Sequence, residues 1–431
     1  MPATTLDRSS IVPLAFATSV SMWAVAYVCR LPAVMAPSWL VLGLMMIAVA
    51  VWGWVSGLRA GGGWLAGALV GGLAAVLNLL ILGSLLAPSK GGGVVPSALW
   101  WVPGSILVVA VVAGGFAAAP GAIGRHEPGR DWTALFSKVA VAATFLLVVA
   151  GGLVTSNEAG LAVVDWPNSF GSNMFLFPLA RMTGGIYYEH AHRLFGALVG
   201  IATITLAVRL WRSDDRRWLR RLAAVAVVVV VLQGTLGGLR VTGGFTFSTS
   251  KADMAPSIAL AIVHAVLGQV FLGLIVGIAV VTSRWWWRAP AAESRPTVPG
   301  DRWLQQWLVA ILVVQLVLGA VQRHLSRGLI IHISLAAVVA VLAVVVGVRA
   351  WALYHRIWPV QRLGQALVGV VSVQVALGIA ALAVTQGKAL VGSPSTLEVT
   401  ITTAHQATGA ILLALSVAIL LWTRRLLAFE G

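Results

Sequence analysis

The sequence has very little cysteine and very little charge. A single cysteine, Cys29, occurs among 431 residues, which excludes an internal disulfide and any metal or iron–sulfur site that needs several thiolates. Charged residues make up 10% of the chain and hydrophobic residues 59%, and apolar runs of twenty or more recur from end to end. This is far more apolar sequence than a soluble core needs, so the sequence predicts an all-α polytopic membrane protein.

Acidic residues are scarce too, and the 29 lysines and arginines against 13 acids give a net charge of +16. Such an excess can indicate a nucleic-acid partner. Here, however, the arginines lie in short clusters between apolar runs, where control of membrane topology explains them better. We therefore predict no nucleic-acid partner, and the partner of the apolar surface is the lipid bilayer.

Apolar runs of about 20 residues, the length that crosses a bilayer core, predict twelve helices. Their spans are 11–31, 38–58, 64–87, 97–119, 134–155, 188–208, 221–242, 256–282, 303–322, 329–352, 361–385 and 400–423. The polar, Pro- and Gly-rich loop 120–133 predicts a boundary between a four-helix leader and an eight-helix body. The predicted domains are a leader at 1–125, a first four-helix half at 126–298 and a second at 299–431.

Loop charges predict the orientation of the chain. Alternate loops of the body carry eighteen and six lysines and arginines. By the positive-inside rule the richer set is cytoplasmic. Both termini are then cytoplasmic, and residues 187–193, YYEHAHR, begin a helix at the outer side.

The body contains an internal repeat. His192 and His332 each precede a tryptophan by 19 residues, Trp211 and Trp351, within a V-R-x-W motif. The two matches need no gap. Because each half has an even number of helices, the repeat predicts two tandem four-helix bundles inserted in the same sense, related by a pseudo-two-fold axis along the membrane normal.

A second pair of matches extends the repeat. Gln233 and Gln374 each precede a histidine by 31 residues, His264 and His405, and the two histidines of a half are 72 residues apart in the first half and 73 in the second. The sequence around each glutamine reads Q-x-x-L-G, which also occurs at Gln315. We interpret this small-residue pattern as permitting close helix packing, with hydrogen bonding as a secondary role.

Two histidines on two helices of each half suit a flat ligand between the helices, as in bis-imidazole ligation of haem iron within a bundle. Zinc would need three or four ligands, and no cysteine or carboxylate repeats with the pairs. The alternative is that the histidines at helix mouths are interfacial side chains without a ligand. Four histidines lack a repeat partner. Three of them are interpreted as loop or interface residues, namely His126, His324 and His355. His190 is interpreted as a local helper of the site.

The two halves differ at the first histidine. Glu189 lies close to one turn before His192 and Arg193 follows it, whereas positions 329 and 333 of the second half are leucine and isoleucine. This asymmetry indicates one reactive site and one site that only holds its ligand. Glu189 would handle protons or stabilise positive charge. The alternative is an interfacial carboxylate paired with Arg193 at i,i+4.

Several motifs together resemble the haem A synthase family, over about residues 134–425. They are the E-x-x-H-R stretch at Glu189, the upstream segment TSNEAGLAVVDWP, and the histidines in two four-helix halves. The resemblance implies an oxidoreductase that converts the methyl group at C8 of haem O into the formyl group of haem A by successive hydroxylations, for terminal oxidase assembly.

The resemblance also implies roles for individual residues. In that family the first-half pair holds the substrate haem and the second-half pair holds haem b, with a carboxylate beside the reacting methyl group. Carried over, the roles are: Glu189 as catalytic residue; His192 and His264 as ligands of haem O; His332 and His405 as ligands of haem b; Arg193, Asp165 and Trp166 as supporting residues.

Partners and location follow from the same resemblance. It implies the bacterial inner membrane, a haem O synthase or another donor of haem O, and an electron acceptor, and it leaves homo-oligomerisation open. The chain departs from many members by lacking the cysteine pair of the outer loops, since the motif here continues as DWPNSFG. It also carries the four-helix leader, whose role is open, with assembly or partner docking as a hypothesis.

Two other functions compete with this one. A di-haem b-type electron-transfer protein, such as a quinol oxidoreductase, would use the same histidine pairs without modifying haem. Its halves would have no need of the asymmetric Glu189 or the long loop 156–187. A transporter built from a parallel repeat would have helices broken by Gly or Pro, with charged groups at mid-membrane. The body shows no such pattern.

Overall fold

The computed structural model describes residues 6–81, 83, 95–119, 131–242, 257–385 and 393–429. Within these residues the chain is almost entirely helical. The helices are α1 Ile11–Arg30, α2 Ser38–Ala60, α3 Gly63–Ile81, α4 Ala98–Ala118, α5 Trp132–Ser156, α6 Gly184–Ser213, α7 Arg217–Thr242, α8 Ile258–Val281, α9 Arg284–Trp287, α10 Val298–Leu325, α11 Leu329–Leu353, α12 Trp358–Thr385 and α13 Thr396–Leu426.

Eleven helices of the described residues are long and apolar enough to cross a membrane. The predicted span 64–87 corresponds to α3. Its residues Gly63–Leu79 form an apolar helix that is shorter than these eleven. The prediction of an all-α, multi-pass membrane protein is confirmed. Helices suit this environment because lipid offers no partner to an unpaired backbone group.

Several helices extend past the predicted spans. α6 has 30 residues and α13 has 31, which at about 1.5 Å per residue exceeds the roughly 30 Å of a hydrocarbon core. The additional turns carry polar residues, such as Arg212 on α6 and Arg424 on α13. Hydropathy therefore located the apolar part of each helix and missed its polar ends.

Two small sheets accompany the helices. β1 (Asn168–Ser169) pairs with β2 (Ser172–Asn173) in antiparallel register, and β3 (Glu293–Ser294) pairs with β4 (Leu427–Ala428) in parallel. The first is a hairpin in the loop between α5 and α6. The second connects the segment after α9 with the end of α13.

The chain forms two compact units. Unit one comprises Met1–Leu146 and Ala162–Arg212, and unit two comprises Leu147–Leu161 and Ser213–Gly431. The predicted domain boundary near residue 125 falls outside the described residues, as does His126. The predicted division into a leader and two halves stays a prediction.

Within unit one, small residues let the leader helices approach closely. A Cβ added at Gly53 or Gly57 of α2 would collide with the backbone of α4 at Ala113 or Ala117, and a Cβ at Gly67 of α3 would also meet Ala113. Glycines four residues apart lie on one helix face, where they permit backbone contact. Packing of small residues therefore holds α2, α3 and α4 together.

The first helix of the leader also packs against α6 through aromatic side chains. Tyr27 of α1 stacks on Tyr187 of α6 with ring centroids 5.7 Å apart, and the Tyr187 hydroxyl donates to the Tyr27 carbonyl at 2.7 Å. Trp23 and Tyr27 both meet Phe195 edge to face, at 5.3 Å each. α1 therefore supports the same helix that carries the E-x-x-H-R stretch.

Within unit two, α10 to α13 share a buried core with side chains of α8 packed against it. α11 and α12 come into backbone contact where Gly347 faces Gly364, because a Cβ at either position would meet the other glycine's carbonyl oxygen. Gln305 of α10 donates to Thr423 of α13 at 3.1 Å. Polar contacts thus supplement close packing between helices that have no hydrophobic effect to drive them together in lipid.

A buried carboxylate ties α10 to the end of α11. Asp301 is 3% exposed, its Oδ1 accepts from Arg349 Nε at 2.5 Å, and its Oδ2 accepts from the Tyr354 hydroxyl. The same hydroxyl contacts Thr297 Oγ1 at 2.9 Å. Burial and the bond to Asp301 raise the pKa of the Tyr354 phenol to about 12, so it stays a neutral donor at physiological pH.

We expect Arg349→Ala to destabilise unit two by about 1–3 kcal/mol, because it leaves the buried Asp301 carboxylate without its cation. Thermal unfolding of the detergent-solubilised protein measures the effect. The control is Arg356→Ala, which removes an exposed arginine nearby. Equal unfolding temperatures for the two variants would contradict a stabilising role of the Asp301 cluster.

Candidate functional site

The stretch Glu189-His-Ala-His-Arg193 occupies the second and third turns of α6, which begins at Gly184 with φ of 54°. Glu189 is 4% exposed, and its Oε1 lies 2.7 Å from Arg193 Nη2. Residues four apart on a helix are neighbours, so this ion pair is local. The structure therefore contains the ion pair that the sequence offered as an alternative to a catalytic role.

Arg193 also binds the loop that precedes α6. Its guanidinium donates to three carbonyl oxygens, those of Val163 at 2.8 Å, Asp165 at 2.7 Å and Asn168 at 3.1 Å. The second oxygen of Glu189 accepts from the Val163 amide at 2.9 Å. A planar guanidinium with five donors can serve one carboxylate and several carbonyls at once. The pair thus fixes residues 163–168 against the helix.

Asp165 stabilises the hairpin rather than offering a free carboxylate. Its two oxygens accept from the amides of Phe170 at 2.7 Å and Gly171 at 2.8 Å. These residues form the turn between β1 and β2, both with positive φ, 52° and 75°. A positive φ is costly for phenylalanine, and the carboxylate helps to offset this cost. Trp166, the other supporting residue predicted here, is 38% exposed.

His190, which the sequence supported least, is completely buried. It has 0% exposure, its Nδ1 lies 3.1 Å from Ser169 Oγ, and its ring centroid is 5.0 Å from that of Phe177. His190 is therefore part of the packing between α6 and the loop. No signal in the sequence could have shown this, because it depends on a contact between residues 21 positions apart.

Unit one thus brings Glu189, Arg193 and Asp165 together around one loop. The arrangement places a buried negative charge at a fixed position, held by a cation and an amide. A carboxylate in such a dehydrated position can stabilise developing positive charge more strongly than it could in water. Its role in catalysis stays a prediction.

In unit two, a glycine and a glutamine of the preceding helix surround His264 of α8. A Cβ at Gly237 of α7 would lie 3.2 Å from His264 Cε1, and Gln233 Nε2 donates to the His264 carbonyl at 3.1 Å. The Q-x-x-L-G pattern therefore places both its polar and its small residue at the histidine.

His332 of α11 has the same surroundings on α10. A Cβ at Gly319 would lie 3.2 Å from His332 Cε1. Gln315 Nε2 is 3.0 Å from His332 Nδ1 and donates to the His332 carbonyl at 3.0 Å. This glutamine thus contacts both the ring and the backbone of the histidine.

His405 of α13 repeats the arrangement with α12. A Cβ at Gly378 would lie 3.1 Å from His405 Cε1, and Gln374 Nε2 is 3.5 Å from His405 Nε2. Thr408 donates to the Oε1 of Gln374. Among the described residues the buried Nδ1 of His405 has no hydrogen-bond partner. Most buried polar atoms in proteins do have one.

His332 and His405 therefore fit the demands of haem ligation. Both lie in unit two, and glycines leave room beside both rings. His192 belongs to unit one and His264 to unit two, so the pairing of these two stays a prediction. The described part of the chain contains no cluster of three or more His, Cys, Asp or Glu suited to a bare metal ion.

Fold and site together define a multi-pass helical membrane protein with repeated histidines on its helices and an ion-paired carboxylate at one helix mouth. The family model described as "Cytochrome oxidase assembly protein" matches residues 134–332. This range includes Glu189, His192, His264 and His332, whereas His405 lies beyond it. Over this region the chain is similar to that family of cytochrome oxidase assembly proteins.

Curated proteins are similar to part of the chain as well. The protein named Heme A synthase from Bradyrhizobium sp. (strain ORS 278) is 26% identical over 231 residues, covering 47% of this chain and 60% of that protein. The Heme A synthase of Halalkalibacterium halodurans is 30% identical over 112 residues, covering 26% of this chain and 35% of the relative. The aligned region thus spans about 60% or less of the length of these relatives.

Proposed function

We propose that this chain is a haem A synthase, an oxidoreductase that converts the C8 methyl group of haem O into the formyl group of haem A by successive hydroxylations. One observation carries the proposal: within the region that matches the family, the buried Glu189–Arg193 pair holds the D-W-P loop beside the helix that carries His192. A di-haem protein that only transfers electrons would not need a Glu–Arg pair in just one of its two halves.

In this function His192 and His264 bind the substrate haem. Glu189 places its negative charge beside the methyl group that is oxidised, and Arg193 holds that carboxylate in position. The loop 163–171, closed by Asp165, excludes water from the region around the carboxylate. Exclusion of water strengthens the electrostatic effect of Glu189.

His332 and His405 would hold haem b in unit two. When bound, haem b supplies one-electron redox chemistry, and its potential depends on its axial ligands and their hydrogen bonds. Because Gly319 and Gly378 have no side chain, the imidazoles of His332 and His405 would have space to lie next to the planar haem.

We further propose that the chain lies in the bacterial inner membrane with both termini in the cytoplasm and the substrate site at the outer side. The eighteen to six distribution of basic residues supports this orientation. A haem O synthase or another donor would supply the substrate, and an electron acceptor would remove the electrons released by oxidation.

Co-expression with a source of haem O tests the proposal. Haems are extracted from membranes, separated by chromatography and identified by mass. We expect a hydroxymethyl or formyl haem with the wild type and with Glu293→Ala, a control that removes a carboxylate paired with Arg295 in the segment after α9. We expect none with Glu189→Ala. If only haem b is found and a quinol reduces it rapidly, the protein is an electron-transfer protein instead.

A further inference from the structure

The Q-x-x-L-G pattern occurs four times, at Gln233, Gln269, Gln315 and Gln374. Three copies meet a histidine of the next helix, whereas a Cβ at Gly273 of the Gln269 copy would meet Val417 and Leu413. Gln233 with Gly237 faces His264, Gln315 with Gly319 faces His332, and Gln374 with Gly378 faces His405. Residues four apart lie on the same face of a helix. The glutamine and the glycine of each of these three copies therefore reach the histidine from one side, one turn apart.

The contacts to these histidines are more specific than helix packing requires. Gln315 lies 3.0 Å from both the Nδ1 and the carbonyl oxygen of His332, while its own Oε1 is buried without a hydrogen-bond partner in the described structure. A carboxamide can present either its NH₂ or its oxygen to a ring nitrogen. Gln315 can thus hold the imidazole in either tautomer.

The glycine determines where the ring can lie. A Cβ at Gly319 or Gly378 would come to 3.2 or 3.1 Å from the Cε1 of the facing histidine, closer than such atoms normally approach. The ring therefore occupies the space that a side chain would take. By contrast, a Cβ at Gly369, also on α12, would meet nothing within 4 Å.

We infer that Gln315 and Gln374 are positioning residues that orient the imidazoles of His332 and His405, the two histidines that would hold haem b. The inference rests on the proposed function, because it assumes that these histidines bind haem iron. A metal-bound histidine usually has its second ring nitrogen held by an outer partner, which fixes the ring and adjusts the metal.

The sequence separates His192 from this set. α5, the helix before the long loop, contains no glutamine, so the pattern that precedes the other three histidines has no copy there. Near the start of α6, the helix of His192 carries the Glu189–Arg193 pair and the loop that this pair binds instead. Three histidines thus have the same glutamine–glycine support, and the fourth is embedded in a different structure.

The test uses the purified full-length protein with its bound haem. Gln315→Leu and Gln374→Leu remove the carboxamide at similar volume, and leucine is compatible with a membrane helix. The control is Gln322→Leu, two turns further along α10. Haem b per polypeptide, its affinity, the electron paramagnetic resonance spectrum of the oxidised haem and its midpoint potential are measured.

We expect the two variants to bind haem b about 10-fold to 100-fold more weakly, as for other outer partners of metal-bound histidines, with altered g values and potential. Gln322→Leu keeps the wild-type values. Gly378→Ala provides a second arm, because its methyl group pushes the His405 ring and should change the g values, whereas Gly369→Ala should not.

The outcomes separate the two proposals. If the wild type holds six-coordinate haem b and all of the glutamine and glycine variants retain its affinity and spectrum, the positioning role is wrong and the proposed function is unaffected. A wild type without six-coordinate haem b would overturn both.

Discussion

Replacing Arg193 with leucine should abolish haem A formation while leaving the helical fold in the membrane. The side chains of Arg193 and Glu189 are 9% and 5% exposed, and removal of one partner of a buried pair costs about 3–5 kcal/mol. Without the guanidinium, the carbonyls of residues 163, 165 and 168 also lose their donor. The loop should therefore leave α6, and Glu189 should no longer be fixed.

The measurement is the yield of oxidised haem relative to haem O, which we expect to fall at least roughly 100-fold, the effect of removing one well-placed electrostatic group from an active site. Arg212→Leu, at the exposed end of the same helix, is the matched control. Arg193→Lys should recover only part of the yield, because an ammonium group cannot match the geometry of a guanidinium.

The double variant Glu189→Gln with Arg193→Leu separates structure from chemistry. It removes the uncompensated charge, so the thermal stability lost in Arg193→Leu should largely return. If Glu189 is the catalytic carboxylate, haem A formation stays absent. A double variant that makes haem A would show that Glu189 serves only to hold the loop.

Removal of the predicted haem b ligands should have the second large effect. His405→Ala and His332→Ala should each abolish the six-coordinate haem b spectrum, because iron would lose one of two axial imidazoles. His355→Ala, an exposed histidine without a repeat partner, should leave the spectrum unchanged. Difference spectra of purified protein, dithionite-reduced minus oxidised, record the result.

A glycine variant distinguishes ligation from structural support. His405→Gly leaves space in which added imidazole can bind, and a glycine in a helix costs only about 1 kcal/mol relative to alanine. We expect imidazole to restore the six-coordinate spectrum in this variant. Failure of imidazole to restore it, in a variant that remains folded, would indicate that His405 supports the helices instead of binding iron.

The positions of the helices were readable from the sequence. Apolar runs of membrane length can only be helical where no water satisfies the backbone, so the centre of each span was predictable, and the ends were less so because polar residues such as those of α6 continue the helix. The Glu189–Arg193 pair was also predictable, since a spacing of four residues on a helix brings side chains together whatever surrounds them.

Contacts between distant segments were decided only by the tertiary structure. The capture of the loop carbonyls by Arg193, the burial of His190 against Phe177, and the stacking of Tyr27 on Tyr187 join residues from different parts of the chain. No periodicity records such contacts, because each depends on where two elements meet in space. The sequence revealed that the glutamine pattern is repeated, and the fold showed that Gln233, Gln315 and Gln374 each face a histidine.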